Sequence, residues 1–274
     1  MSIAQRENGA EVKKSMIWKR RSGLELGIFP VTLAVAPQLE TYFGSRRGGV
    51  SASPYDSLNI AMSVGDKKIR VQENRRRLLA ATGIIPDHLA RAGQVHGSSI
   101  AVVAGGGFYE GVDGLITAEK DLALAVSTAD CYAVFVYAPS ERVLAALHVG
   151  RSGAAGGIIE SSLALMGGRF AADLRNCIAL IGPGICRDCY EVGERHADPF
   201  PKRFRTMRRG RWHLDLLSYC RAELERGGMR SGNIYYAGLC TSCCPELFYS
   251  YRREGGITGR HWALARIRSR PSPL

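Results

Sequence analysis

The chain has 274 residues, 46% of them hydrophobic, which suits one large domain with a sizeable core. Its net charge of +12 is spread over clusters such as Arg75-Arg76-Arg77 and Arg252-Arg253. That pattern reads as a solvated basic face that favours anionic small molecules. With no helix-turn-helix, RNP or zinc-finger pattern, specific nucleic-acid recognition has no support.

Residues 1–23 are polar and charged and are expected to form a flexible arm, with 24–274 forming a single domain. Residues 1–23 lack the apolar core of a signal peptide. No apolar run approaches the ~20 residues that cross a bilayer. Eight cysteines in a chain of this size read as reduced thiols, so the expected setting is the cytoplasm. Arg46-Arg47-Gly48-Gly49 is a basic, glycine-rich loop, and Ser57-Leu58-Asn59-Ile60 opens the next element. The spacing over 71–81 predicts a helix stopped by Gly83. Residues 99–103, 122–126, 132–137 and 143–147 read as strands, and Asp113-Gly114-Leu115-Ile116-Thr117 as a turn feeding a short strand. A glycine-rich stretch, 150–157, leads into a helical segment at 158–166. A buried strand follows at 177–181, closed by Gly182-Pro183-Gly184. Residues 214–226 predict an amphipathic helix with Leu216, Leu217, Cys220 and Leu224 on one face, and 234–237 a further strand. Helices and strands alternate without a strict βαβ rhythm, so the fold class is α+β, one domain of mixed β-sheets flanked by helices.

His96, Cys131 and His148 each stand where an apolar run meets a glycine-containing or acidic turn. Two imidazoles and a thiolate suit Zn²⁺ with one coordination position left open. A thiol beside a histidine also serves as a nucleophile with its base. Taken singly, each has a plainer reading as a hydrogen-bonded histidine or a small buried hydrophobe. Asp113 and Asp130 could orient a histidine, act as acid or base, or simply form turns. The 150–157 stretch reads as an anion cradle, with Arg46, Arg47 and Arg151 as guanidinium clamps. It matches neither a P-loop nor a dinucleotide fingerprint. Cys186/Cys189 and Cys240/Cys243 are C-x-x-C pairs, with Cys244 adjoining. They lie about fifty residues apart with a helix between, and that separation favours packed thiols over a structural zinc.

Several motifs stand in order: Gln94-Val95-His96-Gly97, Thr128-Ala129-Asp130-Cys131, Leu147-His148-Val149-Gly150, Gly182-Pro183-Gly184-Ile185, Cys189-Tyr190-Glu191-Val192-Gly193 and Phe248-Tyr249-Ser250-Tyr251-Arg252-Arg253. Together they resemble the YfiH/laccase-domain family over residues 43–265. The resemblance implies that His96, Cys131 and His148 are zinc ligands, with copper an alternative ion. It further implies phosphorolysis of adenosine, inosine and S-methyl-5′-thioadenosine, with adenosine deamination as a second activity. Cys131, His148 and Asp130 are then expected to be catalytic. Arg46, Asn59, Arg151 and Ser152 are expected to contact nucleoside or phosphate, and the enzyme is expected to be monomeric. Where the family reads Ala-Gly-Trp-Arg-Gly, this chain has Val149-Gly150-Arg151-Ser152-Gly153, which alters an aromatic wall and a fixed guanidinium. Asp188 stands where the family often has cysteine. Two rival readings remain, a metal-independent cysteine hydrolase of a cell-wall precursor amide and a weak copper-dependent phenol oxidase. A full multicopper set needs on the order of ten histidines, and the chain has six.

Overall fold

The computed structural model describes residues 16–270. A hairpin of β1 (Ile17–Arg21) and β2 (Leu24–Ile28) is followed by the one-turn α1 (Val31–Val35) and β3 (Leu39–Gly44). The long α2 (Lys68–Thr82) ends at Gly83, which takes the left-handed conformation that a helix stop requires (φ 62°). Next come β4 (Leu89–Gly93), β5 (Ile100–Val102), β6 (Gly107–Glu110), β7 (Gly114–Thr117) and β8 (Ala123–Thr128). Then follow β9 (Tyr132–Ala138), β10 (Val143–Val149), α3 (Arg151–Ala155), α4 (Ile158–Phe170) and β11 (Ile178–Ile181). Beyond these lie β12 (Glu191–Val192), α5 (Glu194–Ala197), β13 (Arg205–Arg208) and β14 (Arg211–Leu214). The chain closes with α6 (Leu216–Arg226), β15 (Ile234–Tyr236) and β16 (His261–Ile267).

Every residue of β9, β10 and β16 is buried, as strands covered on both faces require. One seven-stranded sheet runs β1-β2-β3-β16-β8-β4-β6, a six-stranded sheet runs β15-β11-β9-β10-β7-β5, and β12-β14-β13 forms a small third sheet. The period-2 alternation of strands assigns the core. Leu124 and Val126 of β8, Phe135 and Tyr137 of β9, Leu144 and Ala146 of β10, and Ala263 and Ala265 of β16 fill the space between the two large sheets. The alternate residues point outward. Trp262, Leu264 and Ala125 meet Leu78 and Ala81 of α2. Val134, Val136, Ala145 and Leu147 meet Leu163 and Met166 of α4 and Leu224 of α6. The result is a helix–sheet–sheet–helix arrangement of mixed strand direction, the α+β class expected. Among the described residues no helix is long and apolar enough to cross a membrane.

One expectation changes. The stretch read as an arm contributes β1 from Ile17, paired with β2 from Ile17↔Ile28 to Arg21↔Leu24, and Trp18 lies against Phe248 at 5.8 Å between ring centroids. Its Lys and Arg side chains face solvent on an edge strand, which conceals the strand pattern; residues 1–15 of the expected arm lie outside the described residues. A central strand without a counterpart among the predicted elements is β16, its pattern hidden by Arg266. That guanidinium is buried, pairs with Glu40 at 2.7 Å, and donates to the carbonyls of Thr82 and Gly83, so it caps the C-terminus of α2. Its burial removes it from the solvated basic clusters.

Phe135 sits between the sheets against Phe43 at 5.4 Å. Phe135→Ala is expected to lower the unfolding free energy by about 3–5 kcal/mol. Phe108→Ala, at a ring left 56% exposed, should stay within about 0.5 kcal/mol of the parent. Urea denaturation of the two variants side by side checks the layer assignment.

Candidate functional site

Strand ends from both large sheets converge at one place. β4 runs into Gln94-Val95-His96-Gly97, β8 passes to β9 through Ala129-Asp130-Cys131, and β10 delivers His148 next to its last residue. The ligand atoms of His96, Cys131 and His148 all lie within 4.8 Å of one another, and the two imidazoles meet edge to face at 4.9 Å between centroids. His148 is buried, Cys131 half-buried and His96 exposed, so the group opens to solvent on the His96 side.

Asp113, fully buried, organises two of the three. Its Oδ1 meets His148 Nδ1 at 2.8 Å and accepts the His96 N–H at 3.0 Å. Its Oδ2 accepts the N–H groups of Val95 (3.1 Å) and Gly97 (2.7 Å), and its carbonyl accepts the His148 N–H at 2.7 Å. An ionised carboxylate makes Nδ1 the protonated nitrogen of a neutral His148 and leaves Nε2 as the free donor. Burial alone would raise the Asp113 pKa, but the His148 hydrogen bond and the Gly97 and Val95 N–H groups outweigh it and hold the carboxyl below its usual range. Gln94 fixes the same loop to the end of β8 by a reciprocal pair, donating to the Ser127 carbonyl (2.8 Å) and accepting the Ser127 N–H (2.6 Å).

Asp130 does for Cys131 what Asp113 does for the histidines. Its carboxylate accepts the Thr241 hydroxyl at 2.6 Å and the Arg252 N–H at 2.7 Å, and its carbonyl accepts the Ile185 N–H at 2.8 Å. His96 (φ 60°) and Asp130 (φ 95°) both occupy the left-handed region, costing about 1–3 kcal/mol each, and these hydrogen bonds hold them there. Burial would raise the Cys131 pKa, but His148 and His96 beside it bring the thiol down to about 6. Burial would lower that of His148, but Cys131 and Asp113 bring it up to about 9. Each group thus favours the charged form of the other, and binding of a metal ion by the pair would release a proton.

The other expected residues fall into two groups. Arg151 is half-buried beside the site, within electrostatic reach of Tyr190 together with Cys131 and Arg252, and Ser152 is exposed next to it. Arg46 and Asn59 are instead engaged in the framework. Arg46 pairs with Glu254 (2.8 Å) and Asp56 (3.4 Å), donates to the carbonyls of Asp56 and Pro245, and covers the Tyr249 ring at 4.7 Å. Arg47 is held by Glu25 and the Glu246 carbonyl. Asn59 is fully buried, bonding Asp66, both backbone groups of Ala61 and the Arg260 N–H. Asp130, expected as acid or base, has each carboxylate oxygen bonded within the fold. Within the 150–157 stretch, 151–155 is helical with Gly150 as its N-cap, and two of the glycines lie in close contact with the site loops. A Cβ on Gly150 would stand 2.9 Å from Cys131 Sγ, and one on Gly153 would stand 2.5 Å from the Gly97 carbonyl oxygen.

Tyr190, Arg252 and Arg260 also belong to this region, although their sequence positions carry no sign of it. Arg252 lies over Tyr190 at 5.5 Å and Arg260 over the exposed Tyr251 at 5.4 Å, both within electrostatic range of the Cys131 region. They approach from loops far along the chain, so spacing carried no signal. The two C-x-x-C pairs also converge. The sulfurs of Cys186, Cys189, Cys240 and Cys243 lie within 4.8 Å of one another, so their separation in sequence does not favour packed thiols.

Residues 40–268 match the model of the family described as multi-copper polyphenol oxidoreductase laccase. A purine nucleoside phosphorylase of Deinococcus radiodurans is 41% identical over 226 residues, covering 81% of this chain and 87% of the relative. The purine nucleoside phosphorylase YlmD of Geobacillus stearothermophilus is 34% identical over 262 residues, covering 89% and 94%. The crystal structure of YlmD from that organism aligns with a TM-score of 0.84 at 30% identity, over 93% of this chain and 100% of the other. That of YfiH from Bacillus licheniformis aligns at 0.82 with 27% identity, over 89% and 96%. Among the described residues, only the His96–Cys131–His148 set and the cysteine quartet gather metal-ligating atoms. Both ring nitrogens of His261 are bonded to backbone, at Tyr249 N and Thr128 O, so it joins no copper cluster. The donors fit a single ion at the His₂Cys set and not a multicopper assembly.

Asp113→Asn should weaken metal binding by about 10- to 100-fold, read by chelator competition, because an amide nitrogen cannot accept the N–H groups aimed at it. In metal-free protein, ultraviolet titration should show a thiolate appearing as pH rises through about 6. That step should be missing from Cys131→Ser; a step unchanged in the variant would refute the assignment.

Proposed function

The chain belongs to this laccase-like family, and on that premise we propose that it is a purine nucleoside phosphorylase acting at the His96–Cys131–His148 set, with Zn²⁺ as the resident ion. The observation that supports the reading most is the convergence of those three side chains, locked by Asp113, in a chain whose relatives bear that enzyme's name. An ion held by two imidazoles and a thiolate supplies Lewis-acid polarisation with a coordination position open to a ligand.

The substrates proposed are adenosine, inosine and S-methyl-5′-thioadenosine. A phosphate oxygen forms a bond to the pentose C1′ while the bond from C1′ to the purine nitrogen breaks, and the purine leaves with that electron pair and gains a proton. The residues around the site suit this reaction. Arg151, Arg252 and Arg260 gather positive charge close to Cys131, where a phosphate needs it, and the exposed Ser152 offers a hydroxyl. Tyr190, its pKa pushed up to about 12 mainly by burial, stays a neutral phenol within electrostatic reach of Cys131 and Arg151, and is the aromatic ring proposed to meet the purine. Adenosine deamination, in which water adds at the purine C6 and ammonia leaves, is proposed as a second activity of the same set. The reduced thiolate this requires fits a cytoplasmic setting.

A second reading has one observation in its favour. Cys131, His148 and Asp113 also stand in the order nucleophile, base and orienting carboxylate, the arrangement of a metal-independent cysteine hydrolase.

Incubation with adenosine, with and without phosphate, and chromatography of the products separates these readings. Phosphate-dependent adenine together with ribose 1-phosphate is expected, with phosphate-independent inosine as the lesser product. Cys131→Ala and His148→Ala should each lower both by on the order of a hundredfold or more, as when a group acting in the transition state is removed. Absence of both products would sink the proposal, and amide hydrolysis undiminished by metal removal would put the cysteine hydrolase in its place.

A further inference from the structure

β11 and β15 are parallel neighbours, paired from Ala179↔Ile234 to Ile181↔Tyr236, so the chain leaves both strands at the same end of the sheet. The pairing continues past the strands. The Ala237 N–H donates to the Ile181 carbonyl at 2.9 Å, Gly184 forms an isolated parallel bridge with Cys240, and the Thr241 N–H donates to the Gly184 carbonyl at 3.1 Å. Each strand extension then turns through a C-x-x-C segment. The Cys189 N–H bonds the Cys186 carbonyl, and the Cys244 N–H bonds the Cys240 carbonyl, both at 3.1 Å. The intervening residues, including the small third sheet and α6, leave and return, so the wide separation in sequence is no separation in space.

The four sulfurs form one group with the geometry of a binding site. All lie within 4.8 Å of one another, Cys189 Sγ and Cys243 Sγ stand 3.4 Å apart, and all four cysteines are free thiols. A tetrahedral zinc with Zn–S bonds near 2.3 Å requires sulfurs about 3.8 Å apart, within this spread. The Cys186 N–H points at Cys240 Sγ at 3.2 Å, a donor that stabilises a thiolate. Arginines tie down both turns. Arg253 donates to the carbonyls of Thr241 (2.6 Å) and Ser242 (3.1 Å) within the second turn, and Arg187 and Arg208 flank Asp188 in the first.

We propose that Cys186, Cys189, Cys240 and Cys243 bind one Zn²⁺ in a closed, structural site that staples the turn after β11 to the loop after β15. Four thiolates leave no open coordination position, so this ion has no part in the chemistry at Cys131. Its effect there is positional. Thr241, next to Cys240, bonds the Asp130 carboxylate, and Ile185, next to Cys186, bonds the Asp130 carbonyl, so both stapled segments hold the residue before Cys131. The inference does not depend on the reading of the His96–Cys131–His148 set.

The test uses the full chain carrying Cys131→Ala, purified under reducing conditions, so that the His₂Cys set lacks its thiolate. Native mass spectrometry and metal analysis should find one tightly held zinc per chain. Replacement by Co²⁺ should give a near-ultraviolet thiolate-to-metal band of four-thiolate intensity, which adding Cys189→Ser and Cys243→Ser should abolish. Since the quartet is intact in the first variant, failure of the others to fold leaves that measurement decisive. A chain without tightly held metal or a cobalt–thiolate band, a mass lowered by lost thiol hydrogens as in disulfides, or iron in place of zinc would overturn the proposal.

Discussion

The site depends on one buried carboxylate and on the strand pairing that places it. Asp113 immediately precedes β7, and β7 pairs with β10 so that Gly114 stands opposite Leu147, which sets Asp113 across from His148. β5 pairs with β7 on its other side, with Ser99 accepting the N–H groups of Asp113 and Gly114, and this draws in the segment that begins at Gln94. The carboxylate thus fixes one histidine by its ring and the other by its backbone. A one-residue slip of β7 would turn Asp113 to the opposite face and dissolve both contacts. A buried carboxylate without such donors would cost several kcal/mol, so the site and the local fold stabilise each other.

The same economy governs Cys131. It lies on the passage from β8 in one sheet to β9 in the other, at a residue pair whose left-handed turn is held by Thr241, Arg252 and Ile185 through Asp130. Glycine at 150 gives the sulfur its space, since any side chain there would press on it. The charge of the chain acquires a purpose here. Part of it is structural, as with Arg46 and Arg266, while Arg151 and Arg252 act electrostatically on Tyr190, and Arg260 feels the charge of Cys131.

Much of this was legible in the sequence. The segments at 132–137 and 143–147 read as strands because they are short apolar runs rich in β-branched and aromatic residues, and Gly83 marked the end of its helix, where the structure gives it a positive φ. His96, Cys131 and His148 stood out by their place at strand edges. What was not legible has physical causes. β1 was masked by charges that face solvent, β16 by an arginine whose partner Glu40 lies 226 residues earlier, and the role of Asn59 by the fact that a buried amide and a ligand-binding amide look alike in sequence.

The sequence by itself determined the class of fold, the donors available to a metal and the family to which the chain belongs, because periodicity and residue chemistry are local properties. Tertiary structure decided which donors meet. Strand register set Asp113 against His148, and the parallel pairing of β11 with β15 joined two cysteine pairs that their spacing had set apart. Sheet pairing brings distant segments side by side, and neither composition nor spacing encodes that step.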